Sequence, residues 1–154
     1  MRLAILIIGV QNSGKTSTIK KLINQYGDGV GKIMRSSWRN IYMDLRFKSL
    51  RLTAYCIPAS PTEKNLDLVD RFIDWDNLPQ TIILAEQLNG NKYANTISFL
   101  TSNGYHIISY NLSNSIGTGI WDRFDSVSER IKLNGRADEI LDDIKKYINS
   151  NGVI

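Results

Sequence analysis

The chain is short of the residues that build covalent or metal-centred frameworks. Its 154 residues include one cysteine, Cys56, and one histidine, His106, which excludes an internal disulfide and a cysteine–histidine cage for zinc. Prolines number three, and no repeat, low-complexity tract or Pro/Gly/Ser-rich linker divides the chain, so one domain over residues 1–154 is expected. No apolar run approaches the ~18 residues of a membrane span. The apolar opening, residues 1–10, lacks a small-residue cleavage site and reads as a strand rather than a secretory leader. A cytoplasmic protein with no membrane partner is the expectation.

Acidic residues are scarce in the first third. Residues 1–51 hold ten Lys/Arg against Asp28 and Asp44, a balance of +8, and the remainder hold nine against thirteen, a balance of −4, which together give the net +4 of the chain. The excess gathers as Lys32, Arg35, Arg39, Arg46, Lys48 and Arg51, interleaved with Trp38, Tyr42 and Phe47. Such a stretch either attracts a polyanion whose bases stack on the rings, or is an exposed basic hairpin whose aromatics face the core.

What the chain has in quantity is hydrophobic pattern. Residues 3–8 form an unbroken apolar run of strand length, the mark of a strand covered on both faces. Ile19, Leu22, Ile23 and Tyr26 then recur at helical spacing, with Gly27 placed to stop the helix. Residues 41–47 and 50–57 read as two extended segments joined tightly at Lys48-Ser49, a hairpin or else one longer strand. Ser60-Pro61-Thr62-Glu63 is a helix start with the cap, first-position proline and third-position glutamate of a capping box. The spacing of Leu66, Val69, Phe72 and Ile73 predicts that helix's buried face. Residues 81–85 form a short strand ending at Glu86, and 92–102 a helix stopped by Asn103-Gly104. Residues 105–112 give another strand, and Ile140, Leu141, Ile144 and Ile148 mark a last helix. Strands alternating with helices predict an α/β fold of three layers, with a mainly parallel sheet, helices on both faces and a basic β-hairpin.

Between the first strand and the first helix stands Gly9-Val10-Gln11-Asn12-Ser13-Gly14-Lys15-Thr16, which satisfies G-x-x-x-x-G-K-[ST] at every fixed position. The chemistry requires these residue types. Glycines admit backbone conformations and approaches that a side chain blocks. The N–H groups of Gly9, Gln11, Asn12, Ser13, Gly14, Lys15, Thr16 and Ser17 then converge on an anion at the positive end of the helix. The Lys15 ammonium reaches β- and γ-phosphates, and the Thr16 hydroxyl ligates Mg2+. The ligand expected is a nucleoside triphosphate, ATP before GTP, as its magnesium complex.

Ligands of open α/β sheets bind beyond the carboxyl ends of the strands, where Glu86 is expected. A carboxylate there serves as a magnesium ligand or as a base on an acceptor hydroxyl or water, or is a solvated strand end. Ala85 stands where some ATPases carry an aspartate, which argues against a motor ATPase with an Asp-Glu pair. Arg123, Arg130 and Arg136 follow the last strand, and arginines folded over a triphosphate neutralise the charge shared in transfer. They suggest a lid over residues 113–137, with the alternative of an ordinary helical surface.

With these residues on the page the chain resembles the small P-loop kinases, the nucleoside, nucleotide and polynucleotide kinase group with its zeta-toxin-like branch. The likeness is carried by residues 9–16, 82–89, 103–108, 129–131 and Gly135-Arg136. It implies a P-loop NTPase domain, a strand-end acid falling on Glu86, and phosphate-gripping arginines falling on Arg130 and Arg136. The pattern departs from that group where Leu133-Asn134 replace a second lid arginine, and where the basic hairpin replaces an acceptor-binding aspartate. Three functions follow: a phosphotransferase acting on a nucleotide, nucleoside or nucleic acid; a nucleotide-hydrolysing switch resembling the small GTPases, which lacks Asp-x-x-Gly at residues 57–60 and Asn-Lys-x-Asp at residues 110–113; and a nucleic-acid-associated NTPase using residues 32–51.

Overall fold

The computed structural model of the chain describes residues 2–9, 14–29, 35–46, 48–87, 90–112 and 129–151, without the side chains of residues 129–132. Its architecture follows from the first strand, β1 (Arg2–Ile8). Leu3, Ile5 and Ile7 point into a core shared with Ile19, Leu22 and Ile23 of helix α1 (Lys15–Tyr26) and with Ile140, Leu141, Ile144 and Ile148 of the last helix, Glu129–Ser150. Ala4, Leu6 and Ile8 point the other way, into a core shared with Leu68, Phe72 and Leu100. Period-two alternation on an all-apolar strand thus buries both faces, at about 2 kcal/mol or more for each fully buried Leu or Ile.

Five strands form one sheet in the order β2-β3-β4-β1-β5, where β2 is Ser37–Leu45, β3 Lys48–Ile57, β4 Thr81–Glu86 and β5 Tyr105–Asn111. β4 and β5 flank β1 in parallel, Ile8 standing opposite Glu86 on one side and Asn111 on the other. β3 is parallel to β4, and β2 is antiparallel to β3. The sheet is therefore mixed and mostly parallel, with helices on both faces. α1 and α5 (Glu129–Ser150) cover one face; α2 (Pro61–Lys64), α3 (Leu68–Arg71) and α4 (Tyr93–Ser102) cover the other. No helix among the described residues is long and apolar enough to cross a membrane.

Three local expectations are corrected. The hairpin begins at Ser37, four residues before the apolar pattern does, because Trp38 pairs with Tyr55 and Arg39 with Ala54. Its turn lies between Leu45 and Lys48, which face each other, rather than at Lys48-Ser49, and Arg46 takes the left-handed conformation, φ 44°, that tight hairpin turns demand. The single amphipathic helix after Ser60 is two short ones. Asn65, in the left-handed region at φ 51°, ends α2, and Asp67 starts α3. Leu68 and Phe72 take the buried positions, leaving Val69 57% and Ile73 71% exposed.

Candidate functional site

The order of the strands fixes where a ligand has room. β1 leads into α1 on one face, and the neighbouring β4 leads into α4 on the other. Chains that diverge to opposite faces after adjacent parallel strands open a crevice at their carboxyl ends, the topological switch point of an open sheet. Here that switch point falls at Ile8 and Glu86, which are paired in register. Gly9 continues β1 at its rim and donates its N–H to the Glu86 carbonyl at 3.0 Å. The glycine-rich motif and the strand-end acid thus meet at one place, although 77 positions separate Gly9 from Glu86.

Of the motif, Gly9 and residues 14–17 are described; Gln11, Asn12 and Ser13 lie outside the described residues. Gly14 sits at φ 91°, a left-handed conformation that strains any other residue, and directs the chain into the first turn of α1. Lys15 opens that helix and is 5% exposed. Its Nζ lies 3.4 Å from Oε1 of Glu63 on α2, so the ammonium points toward the short helix that follows β3. The exposed Thr16 donates its hydroxyl proton to the Pro58 carbonyl at 2.9 Å. That bond consumes the proton and leaves oxygen lone pairs for a cation. Ser17 is half-buried beside it.

Glu86 is sealed at 0% exposure. Its Oε1 accepts from the Gln87 N–H at 2.8 Å and the Thr62 N–H at 3.4 Å, and its Oε2 accepts from the Thr96 hydroxyl at 2.7 Å. A carboxylate buried among amide and hydroxyl donors is tolerable because they replace its hydration. The same bonds tie α2 and α4 to the end of β4. Gly90 makes the junction possible: a Cβ there would lie 2.4 Å from the Thr62 Oγ1. Glu63 is placed differently. Ser60 caps α2 by accepting the Glu63 N–H at 3.1 Å, as the capping-box pattern predicts. The Glu63 carboxylate does not reach back to the cap. It lies on Lys15 instead, where its Oε1 also accepts from Gln87 Nε2 at 3.2 Å, and it is 31% exposed.

The arginines divide. Residues 113–128, with Arg123, lie outside the described residues, and residues 129–137 of the expected lid belong to α5. Arg130 is in that helix, its side chain outside the description. Arg136 is fully buried against α1, donating from Nη1 to the Thr18 hydroxyl at 3.3 Å, while Thr18 donates to the Gly14 carbonyl at 2.7 Å. Burial pushes its guanidinium down to about 10, which leaves it protonated at neutral pH one helical turn from the motif. Among the described residues no cluster of His, Cys, Asp and Glu could hold a metal without other ligands.

The basic segment is elsewhere. β3 runs parallel to the core strands with Ile57 at the crevice end, so Lys48 and Arg51 lie roughly 30 and 20 Å down the strand at about 3.3 Å per residue. Ile41, Met43 and Leu45 fill the α1/α5 core, while Trp38 and Tyr42 are 51% and 49% exposed on the opposite face. The aromatics therefore do not all face the core. Trp38 packs edge-on against Tyr55, and the Tyr42 hydroxyl donates to Asp28 at 2.8 Å. Cys56 is fully buried, as its apolar setting suggests, and His106 stacks on Tyr147 at the sheet edge.

Sequence reasoning missed the side-chain role of Glu63 because its capping pattern already explained its presence. The signal available was that a capping-box carboxylate stands in the helical turn just after the carboxyl end of β3. The sequence matches no protein-family model and no curated protein, so the functional reading rests on the chemistry of this site.

Proposed function

We propose that the chain binds a nucleoside triphosphate, ATP in preference to GTP, in the crevice between β1 and β4 and moves its γ-phosphate to an acceptor. The observation that carries this reading is the coincidence of two independent features. The crevice is where an open α/β sheet takes ligands, and the residues at its rim, Gly14-Lys15-Thr16 at the start of α1, are those that a triphosphate needs. Lys15 supports it physically. A nearly buried ammonium is costly unless anions meet it; Glu63 is one, at 3.4 Å, and a triphosphate would supply others.

Thr16 is the chain's ligand for magnesium. The fit is chemical: its proton is engaged by Pro58, which leaves the oxygen's lone pairs for a cation, and this cation prefers one or two protein oxygens completed by phosphate and water. Bound there, the metal would neutralise the β- and γ-oxygens. Arg136 adds a fixed positive charge behind the first turn of α1, and Arg130 lies along α5 in the segment that the kinase resemblance assigns to phosphate contact. The acceptor approaches from the α2 side, where Glu63 is open to solvent.

Transfer is tested with γ-labelled ATP and magnesium over a panel of nucleosides, nucleotides and 5′-hydroxyl oligonucleotides. The expected result is label in one class of acceptor. Label released only as free phosphate, at one rate whatever acceptor is present, would replace the phosphotransferase by a hydrolysing switch. The ~30 Å between the hairpin tip and the crevice argues that an oligonucleotide gripped at Lys48 and Arg51 needs several nucleotides to reach the transferred phosphate.

A further inference from the structure

We infer that Glu63, rather than Glu86, is the catalytic carboxylate, the base that takes the proton of an acceptor hydroxyl as the γ-phosphate is transferred. The inference rests on the reading of Lys15 as a triphosphate ligand and adds to it a second group at the reacting atoms.

The geometry separates the two acids. Glu86 has no access to an acceptor: it is 0% exposed, and both of its oxygens accept hydrogen bonds from Gln87, Thr62 and Thr96. Its bonds hold the start of α2 against β4, and α2 carries Glu63. Glu63 is 31% exposed, and its Oε1 stands 3.4 Å from Lys15 Nζ. An ammonium has three donors and no acceptor. More than one anion can therefore share it, so phosphate binding need not expel the glutamate.

Distances then place Glu63 at the reaction. A γ-oxygen bound to Nζ lies about 2.8 Å from it, so that oxygen and the Glu63 Oε1 are at most roughly 6 Å apart, given the 3.4 Å ion pair. That span accommodates one hydroxyl, bonded to the carboxylate at about 2.7 Å and approaching phosphorus at about 3–3.5 Å. The second anchor on Glu63, the Gln87 amide at 3.2 Å, limits its rotation. In the step, the acceptor O–H proton passes to Glu63 and the oxygen's electron pair forms the new bond to γ-phosphorus. The bond from γ-phosphorus to the β,γ-bridging oxygen breaks, and its pair leaves on ADP. The protonated Glu63 returns its proton to water through its exposed edge.

The test uses the full chain and MgATP, with water and a mixture of the common nucleosides as acceptors. Binding is measured by calorimetry and turnover by ADP formation, for the wild type, Glu63→Gln and Glu63→Asp. Glu63→Gln should bind MgATP within about threefold of the wild type yet form ADP about 100-fold more slowly, with Glu63→Asp falling between. ADP formation by Glu63→Gln within threefold of the wild type overturns the inference alone. So does a loss of MgATP affinity in both variants that accounts for the whole loss of turnover, since the carboxylate then serves only to orient Lys15. A wild type that neither binds MgATP nor forms ADP removes the nucleotide reading itself, and this inference with it.

Discussion

The two ends of the sheet set charged side chains in opposite surroundings. At the crevice, Lys15, Thr18, Ser60, Glu86, Thr96 and Arg136 are all buried, each tied to the chain by named bonds or by an ion pair to a neighbour across the crevice. At the far end, Arg46, Lys48 and Arg51 stand in solvent on a hairpin whose core contacts are made by Ile41, Met43 and Leu45. Exposed charges cost little and contribute little. Buried ones carry a desolvation penalty that the fold must offset. Charge density alone singles out the hairpin, and burial singles out the crevice. Chemistry needs groups held in place with their hydration removed, and it is burial that favours the site proposed above.

Removing a group at the crevice should therefore cost stability. Glu86→Ala leaves the Thr62 and Gln87 N–H groups without their carboxylate acceptor, while the Thr96 hydroxyl keeps the Lys92 carbonyl at 3.0 Å, and urea denaturation should show a loss of about 1–3 kcal/mol. A loss below about 0.5 kcal/mol would mean that water replaces the carboxylate, and the contrast between the two ends would weaken.

A smaller effect is expected where the hairpin meets the core. Burial of Cys56, opposed weakly by Arg39, pushes its thiol from 9.0 up to about 12. The folded chain then keeps a proton that the unfolded chain releases, so this contribution to stability is whole below pH 9 and is lost as pH rises toward 12. At pH 10 the loss is about 1.4 kcal/mol. Urea midpoints at pH 7 and pH 10 should converge for Cys56→Ala relative to the wild type. An equal pH dependence in both would place the thiol in contact with water.

Much of this arrangement is legible in the residues. The unbroken run at residues 3–8 announces a two-sided strand, and the glycine motif sits where that strand turns into an amphipathic helix. The break after α2 was hidden because Leu66, Val69, Phe72 and Ile73 fit one helical stripe. Asn65, tolerant of left-handed backbone, and Asp67 outweigh that stripe. Asp67 pairs with Lys92 at the entry to α4 rather than capping α3, a contact between residues 25 positions apart that local pattern does not encode. The edge strand begins early for a similar reason: Trp38 is fixed by Tyr55 and Trp75. Glu63 shows the limit most clearly. Its backbone does what the capping pattern says, while its carboxylate answers to Lys15, a partner that only the folded sheet supplies.

Everything proposed for the crevice requires a triphosphate against Lys15 at the head of α1. Calorimetric titration of the whole chain with MgATP tests it most directly. Saturable heat at one nucleotide per chain is expected, lost on Lys15→Ala with a fall in affinity of at least about 100-fold, or about 3 kcal/mol, while the fold is retained. No heat with ATP or GTP in the presence of magnesium, or identical heat from Lys15→Ala, would contradict it.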